Sequence, residues 1–341
     1  MNASVLSNMS SNISDGNDDD LVQQATDRIS EYVPTTDSNW PLQSNLMSTL
    51  GAFIEFLPQS GKVLIAKDVV QARTDKDLYA VYNNLVTGLL CLMKASRGLS
   101  VAVSPHPKRR ANAELVSPQS RTDAFRNNCL QRDNHHCVVS NALDITSHID
   151  NNQHEDTARL EAAHIIPFSY GSWNSRVESD NTVADTWEML YRCFPSLRRV
   201  GFSVDSMNDI SNGITLDRSI HYEFGSFNVA FIQTDSPNQY TVKSYPGCPS
   251  NVSKLVPKHP IQFRDADRTE DLPPPKPELL DCHYRLAEIL HASGMGPCLE
   301  RMLHDLDDMK EASGYMSESG STDFSTFLRI RLWEAGIYAH G

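Results

Sequence analysis

The sequence predicts an α+β fold, with a central stretch of short strands flanked by mainly helical segments. Three observations predict it. Between residues 42 and 97 apolar side chains recur at spacings of three and four, the helix period. Between about 160 and 244 they come in short runs set off by turn residues, as strands do. From 281 onward the helix period returns. On these grounds the 341 residues divide into a disordered leader (1–38), a helical module (39–103), a linker (104–120), the α+β domain (121–245, with an insertion at about 170–208), a Pro-rich extended linker (246–280) and a C-terminal helical segment (281–341).

Each element has its own signal. The leader is rich in Ser, Asn and Asp and reads as unstructured apart from a short helix around Leu21 to Tyr32. Leu42, Leu46, Leu50, Phe53 and Leu57 make one helical face that Pro58 closes. A longer helix runs from about Asp75 to Arg97, with a broad stripe from Leu78 to Met93 and Gly98 as its cap. The linker is broken by Pro and Ser and holds the basic run Lys108 to Arg110. Beyond it come a helix at about 122–132, a short strand at Cys137 to Val139, a turn near Asn141 and a strand ending at Pro167. Val183, Trp187, Leu190 and Phe194 mark a helix in the insertion. Asn212 and Gly213 are read as a turn tolerant of left-handed backbone, and Asp217 as the N-cap of a short helix. Strands follow at 227–232 and 239–244, and helical patterns at 283–291, 298–308 and 324–335.

Charge limits what the chain can do. Acidic residues outnumber basic ones 43 to 30, a formal net charge of -13. Coating a polyanion through bulk charge is excluded; touching a few phosphates through a local patch is not. The apolar run near residue 90 is too short to span a bilayer, and the amino terminus lacks a secretory pattern. The seven cysteines include no CxxC pair, as expected of reduced thiols in an intracellular, nuclear or cytoplasmic protein.

The chemistry concentrates in two fragments. His164 sits in "EAAHIIPFS" at a strand end, where its ring can face a cleft while Ile165 and Ile166 fill the core. His221 lies in "NGITLDRSIHYEF", four residues after Asp217 and so in the first turns of the helix. A two-strand arm bearing one histidine, followed by a helix bearing another, is a suitable frame for a single metal ion. Arg192, Arg198 and Arg199 in the insertion are candidate phosphate contacts.

Together the fragments resemble the HNH endonuclease superfamily with its ββα-metal fold. Within it they are similar to the subgroup with an Ala-Ala-His-Ile first motif, found in fungal proteins carrying HNH nuclease domains. The upstream "RDNHHCVVSNALD" resembles the cysteine-bearing strand and turn that introduce such domains, and His221 follows Asn212 by the nine residues the pattern requires. The resemblance covers roughly 125 to 235 and implies a metal-dependent endonuclease. His164 matches the general base, Asn212 the residue pinning the loop that holds it, and His221 a metal ligand. Such a site hydrolyses DNA by histidine-activated water attack, leaving a 5′ phosphate and a 3′ hydroxyl. It uses one divalent cation, magnesium or alternatively manganese. Substrate strandedness and oligomeric state are left open, and no membrane is expected.

This chain departs from the pattern at three places. Ala163 stands where many members carry an Asp or His ligand; Glu161, on the same strand face, or Asp217 could replace it. His164 and Asn212 are 48 residues apart, so the helix between them is an insertion that could act as a lid or specificity element. Gly225, one turn beyond His221, supplies no further ligand. A fold that retains DNA or protein binding without turnover is the alternative, and a regulatory or structural protein a third.

Overall fold

The helix and strand periods are resolved into nineteen labelled elements in the computed structural model, which describes residues 3–35, 40, 42–94, 123–146, 156–171, 180–263 and 272–312. In chain order they are α1 (Ala3–Ser30), α2 (Leu46–Phe56), α3 (Gln59–Gln71), α4 (Asp75–Leu85), α5 (Cys91–Lys94), α6 (Asp123–Arg132), β1 (Leu143–Asp144), β2 (Thr157–Ala158), β3 (Leu160–His164), α7 (Asp180–Cys193), α8 (Pro195–Arg199), β4 (Gly213–Asp217), α9 (Arg218–Gly225), β5 (Val229–Gln233), β6 (Gln239–Ser244), α10 (Ser250–Ser253), β7 (Ile261–Gln262), α11 (Pro277–Ser293) and α12 (Met295–Ala312). Among the described residues no helix is long and apolar enough to cross a membrane.

Among the described residues three small sheets form: a parallel pair β1–β2, an antiparallel hairpin β3–β4, and an antiparallel meander β5–β6–β7. The hairpin matters most. Its register sets His164 opposite Gly213 and Glu161 opposite Leu216, and α9 follows β4 directly. Helix α6 packs against one side of both strands, while α9 also contacts both.

Several sequence expectations give way here. The leader is helical over Ala3–Ser30 rather than disordered, because Ala25, Ile29 and Tyr32 recur at the helix period and are buried in the core. A helix not anticipated, α3, packs between α1 and α7. Gly61 lets it approach: a Cβ there would stand 2.0 Å from the Cys193 carbonyl oxygen. The long helix expected at 75–97 is interrupted by a π-helical turn at Val86–Leu90, although Leu78, Tyr82, Leu85, Leu89, Leu92 and Met93 are buried as the stripe requires. Residues 137–139 form a turn instead of a strand. Cys137 Sγ accepts the backbone N–H groups of Ser140 and Asp217, which curls the chain over the hairpin.

The segment read as an extended linker at 246–280 contains α10, β7 and the first residues of α11. Val252 and Phe263 are buried, and β7 pairs with the start of β6. Pro277 sits at the first turn of α11, where its missing N–H costs nothing. The helices of the insertion are packed into the core: Trp187, Leu190, Phe194 and Leu197 are buried, and α7 packs on α3. One apolar cluster runs from Ala25 through the hairpin to Leu299, so the predicted helical module, central domain and C-terminal helices share a core. The linker at 104–120, its basic run and the helix expected at 324–335 lie outside the described residues.

Candidate metal centre and catalytic face

The hairpin has two faces because alternate strand residues point opposite ways. On one, Ala163 is fully buried in the main cluster that also holds Ile220 of α9. Glu161 shares that face and meets α9. Its Oε2 lies 2.7 Å from Nδ1 of His221, and its Oε1 lies 3.7 Å from Nε of Arg218. On the other face, Ala162 packs against the small cluster of Phe125, Cys129 and Ile210. His164 points the same way. Its ring stacks on Phe125 of α6 at a centroid distance of 4.0 Å and a tilt of 9°, with Phe168 at 5.4 Å.

Asn212 joins the two strands beyond the hairpin. It is completely buried. Its Oδ1 accepts the Ile166 N–H at 2.9 Å, and its Nδ2 donates to the Ile166 carbonyl at 3.2 Å and the Met207 carbonyl at 3.1 Å. Its own carbonyl accepts the Ile165 N–H. An amide is the one uncharged side chain able to satisfy a backbone donor and two acceptors at once. The two residues after His164 are thereby tied to the chain entering β4.

Gly213 has a different reason from the left-handed turn expected of it. Its φ of -131° is ordinary extended backbone. Glycine is required by space: a Cβ would lie 2.6 Å from both Cys129 Sγ and the Phe125 ring. The same ring carries His164, so the absent Cβ at 213 and the imidazole stack are parts of one packing arrangement.

Arg132 and Asp133 are site-supporting residues that the sequence left undistinguished. Arg132 is buried, donates to the Ile210 and Gly213 carbonyls at 2.7 and 2.9 Å, and pairs with both oxygens of Asp133. Asp133 in turn accepts the Thr215 N–H. This arginine braces the start of β4 and does not face a phosphate; nothing in an Arg-Asp dipeptide reveals that it will be buried.

Among the other predicted residues, Asp217 caps α9, its Oδ1 accepting the Ser219 N–H at 2.8 Å and the Ser219 hydroxyl. That engagement draws it away from a cation. Arg192 is paired with Asp68 of α3, and Arg198 with Glu188 while lying over the Tyr191 ring at 4.5 Å. Arg199 is exposed at the end of α8. Two of these three predicted arginines are thus taken up by partners within the protein.

Among the described residues no group of three or more His, Cys, Asp and Glu side chains gathers to hold a metal ion. The donors present are one carboxylate and one imidazole, with side chains 42% and 34% exposed. They fit a cation that takes few protein ligands and keeps water or phosphate oxygens as the rest. Nδ1 of His221 and Oε2 of Glu161 face one another, the placement that two ligands of a single ion take.

Comparison with known proteins agrees over part of this chain. A comparison with curated proteins and one with solved structures return no match. The family model described as HNH endonuclease matches residues 137–232, the span running from Cys137 through the hairpin and α9 into β5. An HNH-type endonuclease domain is therefore present within a mixed α+β region flanked by helices.

Proposed function

We propose that this protein is a metal-dependent endonuclease that hydrolyses phosphodiester bonds in DNA, leaving a 5′ phosphate and a 3′ hydroxyl. The observation that carries the reading is the Asn212 clamp, which fixes the backbone immediately beyond His164 inside the matched domain. A general base must be held where it can take a proton from the attacking water, and the ring nitrogen of a neutral imidazole is such an acceptor. Phe125 fixes the plane of the His164 ring, and Asn212 fixes the chain that follows it.

Glu161 and His221 would hold one divalent cation. When bound, it would stabilise negative charge on the scissile phosphate and the departing oxygen. A donor set of one carboxylate and one imidazole suits manganese as well as magnesium. The Ala-Ala-His-Ile sequence supports the subgroup assignment, and reduced cysteines an intracellular location, nucleus or cytoplasm.

A binding module without turnover is the second reading. It is favoured by the two-residue donor set and by a fully buried Ala163 where a ligand would otherwise stand. Nicking of supercoiled plasmid with magnesium, manganese or EDTA separates the two, run with wild type and His164→Ala. The nuclease reading expects metal-dependent nicking that EDTA abolishes and the variant loses. A folded protein inert with every ion overturns it in favour of the binding module.

A further inference from the structure

A cleft of about 490 Å³ opens beside the Glu161–His221 pair, with Glu161 itself in its wall. Three arginines from separate parts of the fold line it: Arg126 of α6, Arg159 just before β3, and Arg218 at the start of α9. Their convergence depends on the hairpin. The Arg218 N–H donates to the Arg159 carbonyl, and Arg126 Nη2 donates to the Leu160 carbonyl at 3.2 Å. Two carboxylates share the cleft with the three arginines, which leaves its lining net positive. Asp144 is only 2% exposed in its side chain and is taken up by the Thr146 hydroxyl and the Leu160 N–H, with Arg126 4.0 Å away. Glu161 is engaged by His221 and also lies 3.7 Å from Arg218. The arginines, by contrast, reach solvent: the side chains of Arg126 and Arg218 are 44% and 72% exposed, and Arg159 is exposed without an ion pair among the described residues.

On a chain whose net charge is -13, a cationic cleft next to the candidate metal pair is a local reversal of sign. Guanidinium groups match phosphate oxygens in geometry and charge, and such contacts position a nucleic acid without reading its sequence. We infer that Arg126, Arg159 and Arg218 seat the phosphodiester backbone of the nucleic acid and deliver one phosphate to the Glu161–His221 pair. The choice of a polymer as ligand rests on the nuclease reading; the cleft itself does not.

The test is binding of a fluorescently labelled DNA duplex to the full chain in EDTA, followed by anisotropy from low to physiological salt. Arg159→Gln and Arg218→Gln are each expected to weaken binding roughly fivefold at physiological salt and to lower the slope of log affinity against log salt by about one. Their thermal unfolding midpoints should stay close to wild type, since both side chains are solvent-facing. Unchanged affinity and slope in both variants would overturn the inference. So would displacement of the duplex by inorganic phosphate at matched ionic strength, which would mark a small-anion site. Plasmid nicking keeps the two claims apart. Nicking that needs His164 but ignores both arginines sinks the cleft alone; arginine-dependent binding without nicking sinks the hydrolytic reading alone.

Discussion

At the scale of single residues, Asn212 and Gly213 do separate work although they are adjacent. Asn212→Ala deletes three hydrogen bonds in a fully buried place and leaves backbone groups of Ile166 and Met207 without partners. A loss of about 3 kcal/mol in unfolding free energy is expected, with nicking falling in step; chemical denaturation checks the first. Gly213→Ala forces a methyl into Phe125 and Cys129 and should cost about 1–3 kcal/mol. Pairing it with Phe125→Leu should recover part of that loss, which a double-mutant cycle would detect as a coupling energy. Arg132→Met strands the buried Asp133 carboxylate, and the expected cost is about 3–5 kcal/mol. Asn212 could be recognised through the resemblance, whose pattern sets it nine residues before His221. The reason for Gly213 could not, because it lies in a ring contributed by a helix 88 residues earlier.

At the scale of elements, the β3–β4–α9 unit was legible through the resemblance and through local signals: a strand running up to Pro167, an Asp N-cap, and apolar Ile220 and Phe224 on one helical face. Even there, sequence did not show that Glu161 would reach His221 while His164 turned to α6, since both strand faces are largely covered. What was misread depends on distant partners. Helix α1 is polar on average and is fixed by α3; β7 is two residues long and exists through β6. Helix α11 shows the same dependence. Its His283 lies between the rings of Phe224 and Phe227, at 3.8 and 4.5 Å, and bonds the Phe224 carbonyl through Nε2. Burial lowers its pKa to about 3, the carbonyl bond opposing this only in part. The unfolded chain takes up that proton near pH 6.5 and the folded chain does not until about pH 3. Stability from this group is therefore complete above pH 6.5 and falls below it by up to about 1.4 kcal/mol per pH unit. Between pH 7 and 5, His283→Phe should lose stability less steeply than wild type, as urea titrations at several pH values would show.

At the scale of the whole molecule, the helices are not appendages to the matched domain. Helix α11 packs on both α2 and β5, α7 packs on α3, and one apolar cluster spans all of them. Cutting the chain near residue 120 to isolate the domain would therefore expose the buried faces of α7 and α11, and the fragment should be insoluble or lack cooperative melting. The acidic charge of the full chain and the arginine cleft are likewise properties of different scales, the first a sum and the second a placement.

The central claim is that the hairpin divides the site, with a cation-binding pair on the α9 face and the base on the α6 face. Titration of manganese into the full-length protein, by calorimetry or by the ion's paramagnetic resonance signal, tests it most directly. One ion should bind to wild type and to His164→Ala with similar affinity, and binding should be lost in Glu161→Gln and in His221→Ala. Loss of the ion in His164→Ala as well, or binding that survives both changes on the α9 face, would contradict it.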